Sequence, residues 1–167
     1  MKFDEGNLQL DFSAFISAIR FDDQKTNPYG LKSVDFVAET ADAVYYLEVK
    51  DFQNPKSQNF QMDLQMLKDA QKDGKHTFCL EMGEKIKDSL LRQYAQGIIL
   101  AKELKYLLLI NLDVLGAAER GRLKAKISGH IPTGLNDTRF TAFTSISFEL
   151  VTAEQLKTHG IVCIANP

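Results

Sequence analysis

Between Ser33 and Lys50 lie three groups whose types and spacing could do chemistry: the carboxylates of Asp35 and Glu48, and the amine of Lys50 two positions after Glu48. The stretch reads as two strands, Val34 to Ala38 and Ala43 to Phe52, joined by a tight turn at Glu39-Thr40-Ala41-Asp42. In an antiparallel hairpin Asp35 falls opposite Tyr46 or, with a looser turn, opposite Glu48. Both registers put it on the face that carries Glu48 and Lys50, because strand side chains alternate with period two. Cross-strand neighbours lie ~5 Å apart at Cβ when opposite and ~7–8 Å when diagonal, so two carboxylates can share one cation. The run Val44-Tyr-Tyr-Leu-Glu-Val-Lys50 is β-branched and aromatic, which predicts burial, where an ionised Glu is costly unless paired or bound to metal. Two hard oxygen donors suit a magnesium-like ion that keeps several waters and completes its shell from phosphate. A neighbouring ammonium can orient water or stabilise charge on a phosphoryl oxygen.

A plainer reading competes. Acid-any-Lys occurs at Asp23-Gln-Lys25, Glu48-Val-Lys50, Asp73-Gly-Lys75 and Glu103-Leu-Lys105, so the tripeptide alone identifies nothing. On a solvated sheet face Glu48 and Lys50 would be an ordinary ion pair, worth ~0–1 kcal/mol.

With Asp35 on one strand and Glu48-Val49-Lys50 on the next, the chain resembles the PD-(D/E)XK nuclease superfamily. Arg20-Phe-Asp-Asp23, Gly30-Leu-Lys-Ser-Val-Asp-Phe36 and Tyr46-Leu-Glu-Val-Lys-Asp-Phe52 also look like an uncharacterised bacterial family within it. The resemblance covers about residues 8–55, and Val34 stands where the signature has Pro. It implies a restriction-endonuclease-like fold, a mixed β-sheet flanked by helices with an αβββαβ core; chain length adds the expectation of a single domain spanning 1–167. The resemblance also implies a hydrolase, a Mg- (or Mn-) dependent nuclease. Asp35, Glu48 and the main-chain carbonyl of Val49 would hold the cation, and Lys50 would position the attacking water. Many members carry a further acid before the hairpin; Glu5, Asp11, Asp22 and Asp23 are candidates, with Asp22 and Asp23 ranked first. The same Asp-Asp pair also suits a solvated loop. The alternative is a catalytically inactive module of the same fold that binds a partner or serves as a complex subunit.

Composition fits one globular unit: 167 residues, 44% hydrophobic and 25% charged, without an apolar run of the ~20 residues that crosses a bilayer. The first residues, Met1-Lys-Phe-Asp-Glu-Gly6, lack the apolar core of a signal peptide, and two cysteines, Cys79 and Cys163, have no metal-ligand spacing. A cytoplasmic location is expected. A net charge of −2 argues against strong nonspecific adhesion to nucleic acid. Locally, however, Arg120, Arg122, Lys124 and Lys126 face one acid, Glu119, in a run that could track a phosphate backbone of DNA, or simply form a solvated face. No membrane partner is implied, while a protein partner or a homo-oligomer remains open.

Other elements follow from periodicity. Asn7 to Phe12 alternates like a strand, and Ser13 to Arg20 has the spacing of a short helix. Gln58 to Lys72 reads as a helix with Phe60, Leu64, Leu67 and Gln71 on one side. From Glu84 to Ala101 a helix would bury Ile86, Leu90, Leu91, Tyr94, Ile98 and Leu100, leaving Gln93 and Gln96 on its surface. Lys105 to Asp113 is the strongest buried-strand signal. Ala117 to Ile127 suits a basic helix, Thr144 to Val151 a strand, and Thr152 with Gln155 a capping box. Ile161 to Ile164 would close the sheet. His76, His130 and His159 fall in loops or element ends, and no Gly-rich phosphate loop or Ser elbow is present.

Overall fold

The computed structural model describes residues 1–22, 30–54, 60–70, 77–98, 102–113, 115–133 and 145–165. Its frame is a five-stranded mixed sheet. The strands in spatial order are β3 (Ser17–Arg20), β4 (Phe36–Glu39), β5 (Ala43–Asp51), β6 (Glu103–Asn111) and β7 (Ile146–Val151). The first two pairings are antiparallel, and β5–β6 and β6–β7 are parallel. Between the parallel strands run helical crossovers: α1 (Phe60–Ala70) and α2 (Thr77–Ala95) before β6, α3 (Ala117–Ser128) before β7. That is the expected way to link parallel neighbours, which no short hairpin can join. Both central strands read as near-continuous apolar runs because both their faces are covered.

Parity along β5 decides what each face receives. Val44 and Tyr46 join the helix-side core with Val37, Leu104, Tyr106, Leu108 and the inner residues of α1, α2 and α3. Ala43, Tyr45, Leu47 and Val49 join a second core on the opposite face. That second face is covered by a smaller antiparallel sheet of β1 (Lys2–Glu5), β2 (Leu8–Asp11) and β8 (Val162–Ala165), together with α4 (Ala153–Leu156), so the layers are helices, sheet and sheet.

Two elements depart from the sequence expectation. Ser13 to Arg20 does not form a helix: Ser17–Arg20 pairs with β4 as an edge strand, with Ile19 opposite Val37. The spacing of Phe15, Ile16, Ala18 and Ile19 fits either period over so short a run, and sheet pairing decides it. The leading helix of an αβββαβ core is therefore not found among residues 1–22, which hold only strands and turns. The last strand, β8, pairs with β2 and not with the main sheet. The capping box is formed: Gln155 N donates to Thr152 Oγ1 at 3.2 Å and Thr152 N to Gln155 Oε1 at 2.9 Å. Cys79 and Cys163 are free buried thiols in the cores on opposite faces of the sheet. Among the described residues no helix is long and apolar enough to cross a membrane.

Candidate functional site

The hairpin takes the looser of its two registers. Phe36 pairs with Leu47 and Glu39 with Val44, so continuing the ladder by one step brings Asp35 opposite Glu48. Asp35 Oδ2 accepts a hydrogen bond from the Val49 amide at 2.6 Å, tying the start of β4 to the far end of β5 through a side chain. By the parity of β5, Glu48 and Lys50 follow Val44 and Tyr46 onto the helix side. Asp35, Glu48, Val49 and Lys50 together line one cavity of about 180 Å³, along with Glu5, Gly6, Asp51, Phe52, Asn54 and Lys85.

Lys85, from α2, is the group that sequence reasoning missed. Its Nζ lies 2.7 Å from Glu48 Oε1 and 3.7 Å from Asp35 Oδ1. The Lys50 ammonium approaches Glu48 Oε1 at 3.5 Å. Glu48 has only 1% of its surface exposed, so the pair belongs to the interior and not to a solvated sheet face. Neither Glu48 oxygen receives a well-aligned hydrogen bond, and the ammonium contacts of Lys50 and Lys85 fall on Oε1. A buried carboxylate oxygen left without a donor is uncommon, and its lone pairs are available to a ligand.

The electrostatics follow from burial. Desolvation, and then the Glu48 charge beside it, push the Asp35 carboxyl well above the ordinary carboxylate range, although Lys85 and the Val49 amide pull the other way. For Lys85, burial works against the charge, but Glu48 and Asp35 outweigh it and raise the amine above its usual value. The hydroxyl of Tyr106, fully buried on β6, is likewise raised by burial and then by Glu48 and Asp35.

One face of α2 positions much of this. Lys32 N donates to Asp88 Oδ2 at 2.9 Å, Lys32 Nζ to Glu84 Oε2 at 2.8 Å and Val34 N to Ser89 Oγ at 3.0 Å. Arg92 Nη1 donates to the Phe21 carbonyl at 2.5 Å and to Ser33 Oγ at 3.3 Å, with its guanidinium over the Phe21 ring. These contacts fix the segment that leads into Asp35. Gly83 lets α2 seat against the end of α3, since a Cβ there would lie 2.5 Å from His130 Cβ and 2.8 Å from its carbonyl oxygen. At the rim, Gly6 turns the β1–β2 hairpin with φ +59°, a left-handed conformation that favours glycine. The adjacent Asn7 amide donates to Asp51 Oδ2 at 3.4 Å.

The buried face of α2 is rotated from the one that periodicity suggested. Leu91 and Tyr94 are 53% and 77% exposed and Ile98 is exposed too, while Ser89, Arg92 and Gln93 are buried. Gln93 is thus not a surface residue; it accepts a hydrogen bond from the Tyr46 hydroxyl, away from the cavity. Gln96 is exposed.

Of the candidate acids before the hairpin, Glu5 lines the cavity and Asp11 does not; Asp11 bonds Ser13 and faces the Met1 amine. Asp22 lies 3.9 Å from the Arg20 guanidinium, which also holds Glu5 at 2.5 Å and the Asp4 carbonyl at 2.6 Å. Its carboxyl is raised by partial burial, opposed by Arg20 and Lys85 and reinforced by Glu48, so it shares the electrostatic field of the site without lining the cavity. Asp23 lies outside the described residues, as does His76.

The basic run on α3 divides in two. Arg120 donates to the carbonyls of Leu115, Ile110 and Leu112, and Lys126 to the Ala70 carbonyl at 3.0 Å, so both hold the fold together. Arg122 and Lys124 are exposed, Arg122 lying 3.5 Å from Glu119, and none of the four lines the cavity. His159 faces Glu149 at 3.6 Å, and His130 sits at the end of α3.

Compared with protein-family models, curated proteins and solved structures, the chain gives no significant match.

Proposed function

We propose that this chain is a metal-dependent phosphodiesterase acting on nucleic acid, DNA being the expected substrate. The observation that carries the reading is Glu48, buried to 1% exposure, with neither carboxylate oxygen receiving a well-aligned hydrogen bond, at a cavity that also holds the Asp35 carboxylate and the Lys50 ammonium. No three Asp, Glu, His or Cys side chains form a metal shell among the described residues. A cation here would take two carboxylates and draw its remaining oxygens from the main chain, water and substrate, which is the habit of magnesium. The donors present therefore fit Mg²⁺ or Mn²⁺. Asp35 and Glu48 are the side chains to hold it. The Val49 carbonyl is the main-chain donor: a strand residue's carbonyl leaves by the same edge as its amide, and the Val49 amide points to Asp35. When bound, such an ion supplies a Lewis acid that stabilises charge on a phosphoryl oxygen and eases ionisation of water. Lys50 orients the attacking water from the strand end next to Glu48, and Asp22 and Glu5 add negative field at the rim.

Incubating the purified protein with labelled single- and double-stranded DNA and RNA, with Mg²⁺, Mn²⁺ or a chelator, tests this directly. Cleavage that needs the cation and disappears in Lys50→Ala, with circular dichroism showing the variant still folded, is the expected result. Cation-independent cleavage, or an undiminished Lys50→Ala, would sink it. A second reading, an inactive module of the same architecture, draws on the 2.7 Å contact by which Lys85 already neutralises Glu48 from within the fold. A chain that takes up neither cation at millimolar levels would favour that second reading.

A further inference from the structure

Two ammoniums, Lys50 and Lys85, meet the Glu48 carboxylate, Lys85 also meets Asp35, and Glu5 and Asp51 line the same cavity. A divalent cation shared by Glu48 and Asp35 would lie close to both ammoniums, beside a group that is 1% exposed. Like charges crowded at so buried a group repel strongly, so an ammonium that stands in the cation's place must leave as the cation enters. The two are not equivalent. Lys50 reaches Glu48 Oε1 at 3.5 Å from the strand end. Lys85 spans both acids, on Glu48 Oε1 and on Asp35 Oδ1, and so stands where a shared cation would stand. It also lines the open cavity, and its flexible four-carbon stem is anchored on a helix, not on the strands that carry the acids.

From this geometry we infer that Lys85 is the resident counter-cation of the Asp35–Glu48 pair and is displaced when a divalent cation binds, so that this residue sets how tightly the site takes its metal. The inference rests on the cation-binding reading above and goes beyond it: the protein carries an internal competitor that holds the two acids together when metal is scarce. The displaced ammonium, moved toward the cavity, is then placed to meet an incoming phosphate.

The test is a titration with Mn²⁺ alone, followed by electron paramagnetic resonance of the free ion, on the wild type, Lys85→Met and Lys85→Arg, each checked for folding by circular dichroism. Lys85→Met should bind Mn²⁺ at least about tenfold more tightly than the wild type, a gap of about 1.4 kcal/mol, while Lys85→Arg, which keeps the charge, stays within about threefold. Equal or weaker binding by a folded Lys85→Met overturns the inference and leaves the cation site standing if the wild type still binds. Binding by Lys85→Met alone upholds the competitor role and argues against a working metal enzyme. Binding by neither removes both. Should Lys85→Met not fold, the side-chain ¹⁵Nζ resonance of Lys85 in the wild type decides: it must move in step with Mg²⁺ occupancy, and a signal fixed through saturation overturns the inference.

Discussion

Removing the Lys85 ammonium from the metal-free protein should be among the most damaging single changes available to this chain, and the distances say by how much. At an effective dielectric near 20, opposite charges 2.7 Å and 3.7 Å apart attract by about 6 and about 4.5 kcal/mol, against about 5 for the 3.5 Å contact of Lys50 with Glu48. Desolvation offsets much of that attraction, and the part that appears in stability is the penalty for stranding a buried charge, about 3–5 kcal/mol. Lys85→Met in excess chelator should therefore lose about 3–5 kcal/mol, and Lys50→Met less, because Lys50 stands farther from Glu48 Oε1 than Lys85 does. Glu48→Gln alone should also destabilise, since it leaves Lys85 facing Asp35 alone. The double variant Glu48→Gln/Lys85→Met should cost less than the two separate losses by about 1–3 kcal/mol, the coupling expected of groups in one network. Urea denaturation at neutral pH reads all four, with unchanged m-values showing that only stability has moved. A Lys85→Met loss below about 1 kcal/mol, the range of a surface ion pair, or strict additivity in the double variant, would refute the claim that this lysine neutralises an interior charge.

Other consequences are open to direct measurement. With metal chelated, the raised Asp35 carboxyl contributes stability that is fully present below its unfolded value near pH 4 and is lost as pH rises through the folded value. Wild type compared with Asp35→Asn should thus show its largest relative stability in acid, and a difference that stays flat with pH would contradict the raised carboxyl. Ser89→Ala removes the acceptor of the buried Val34 amide and should cost about 1–3 kcal/mol by thermal or urea unfolding, while also loosening Asp35. On α3, Arg122→Glu with Lys124→Glu should weaken nucleic-acid binding and flatten its salt dependence without lowering stability, measured by fluorescence anisotropy across salt concentrations. Arg120→Ala should instead lower the melting temperature, since it leaves the carbonyls of Ile110, Leu112 and Leu115 short of a donor.

The strands of the site were legible because their signals are local. From Ala43 to Leu47 successive residues alternate between two apolar cores, and Glu39 to Asp42 carry turn residues, so Asp35, Glu48 and Lys50 could be brought together from parity alone. Which register the hairpin takes was not legible, because two residues more or less in the turn keep the same faces, and the choice is made by packing and by the Asp35 bond to the Val49 amide. The same limit explains β3 and β8. Ile16 at 69% and Ile19 at 52% exposure lie on an edge, so their apolar character carries no burial signal from which to read the period. A four-residue apolar strand such as β8 likewise holds nothing that says which of two sheets will accept it.

Lys85 was missed for a different reason. The phase of α2 was set by its most hydrophobic side chains, among them Leu91 and Tyr94, which turn out to face solvent. The true inner face runs through Phe78, Met82, Lys85, Ser89 and Arg92, spaced four, three, four and three, and three of these five are polar. Apolar periodicity cannot find a face whose inner residues are chosen to bond a buried segment and two carboxylates. What could have found it is charge balance: once Glu48 is placed in the interior of a strand pair, two acids require more than the single amine of Lys50 at the strand end, and the missing cation has to come from the helical layer above. Within α2, a lysine in phase with Met82 and Ser89 meets that requirement, while Lys87, two positions on, points elsewhere. The site is thus encoded by an electrostatic deficit on the strands and its remedy on a helix, a pairing of distant residues that periodicity in either element alone does not record.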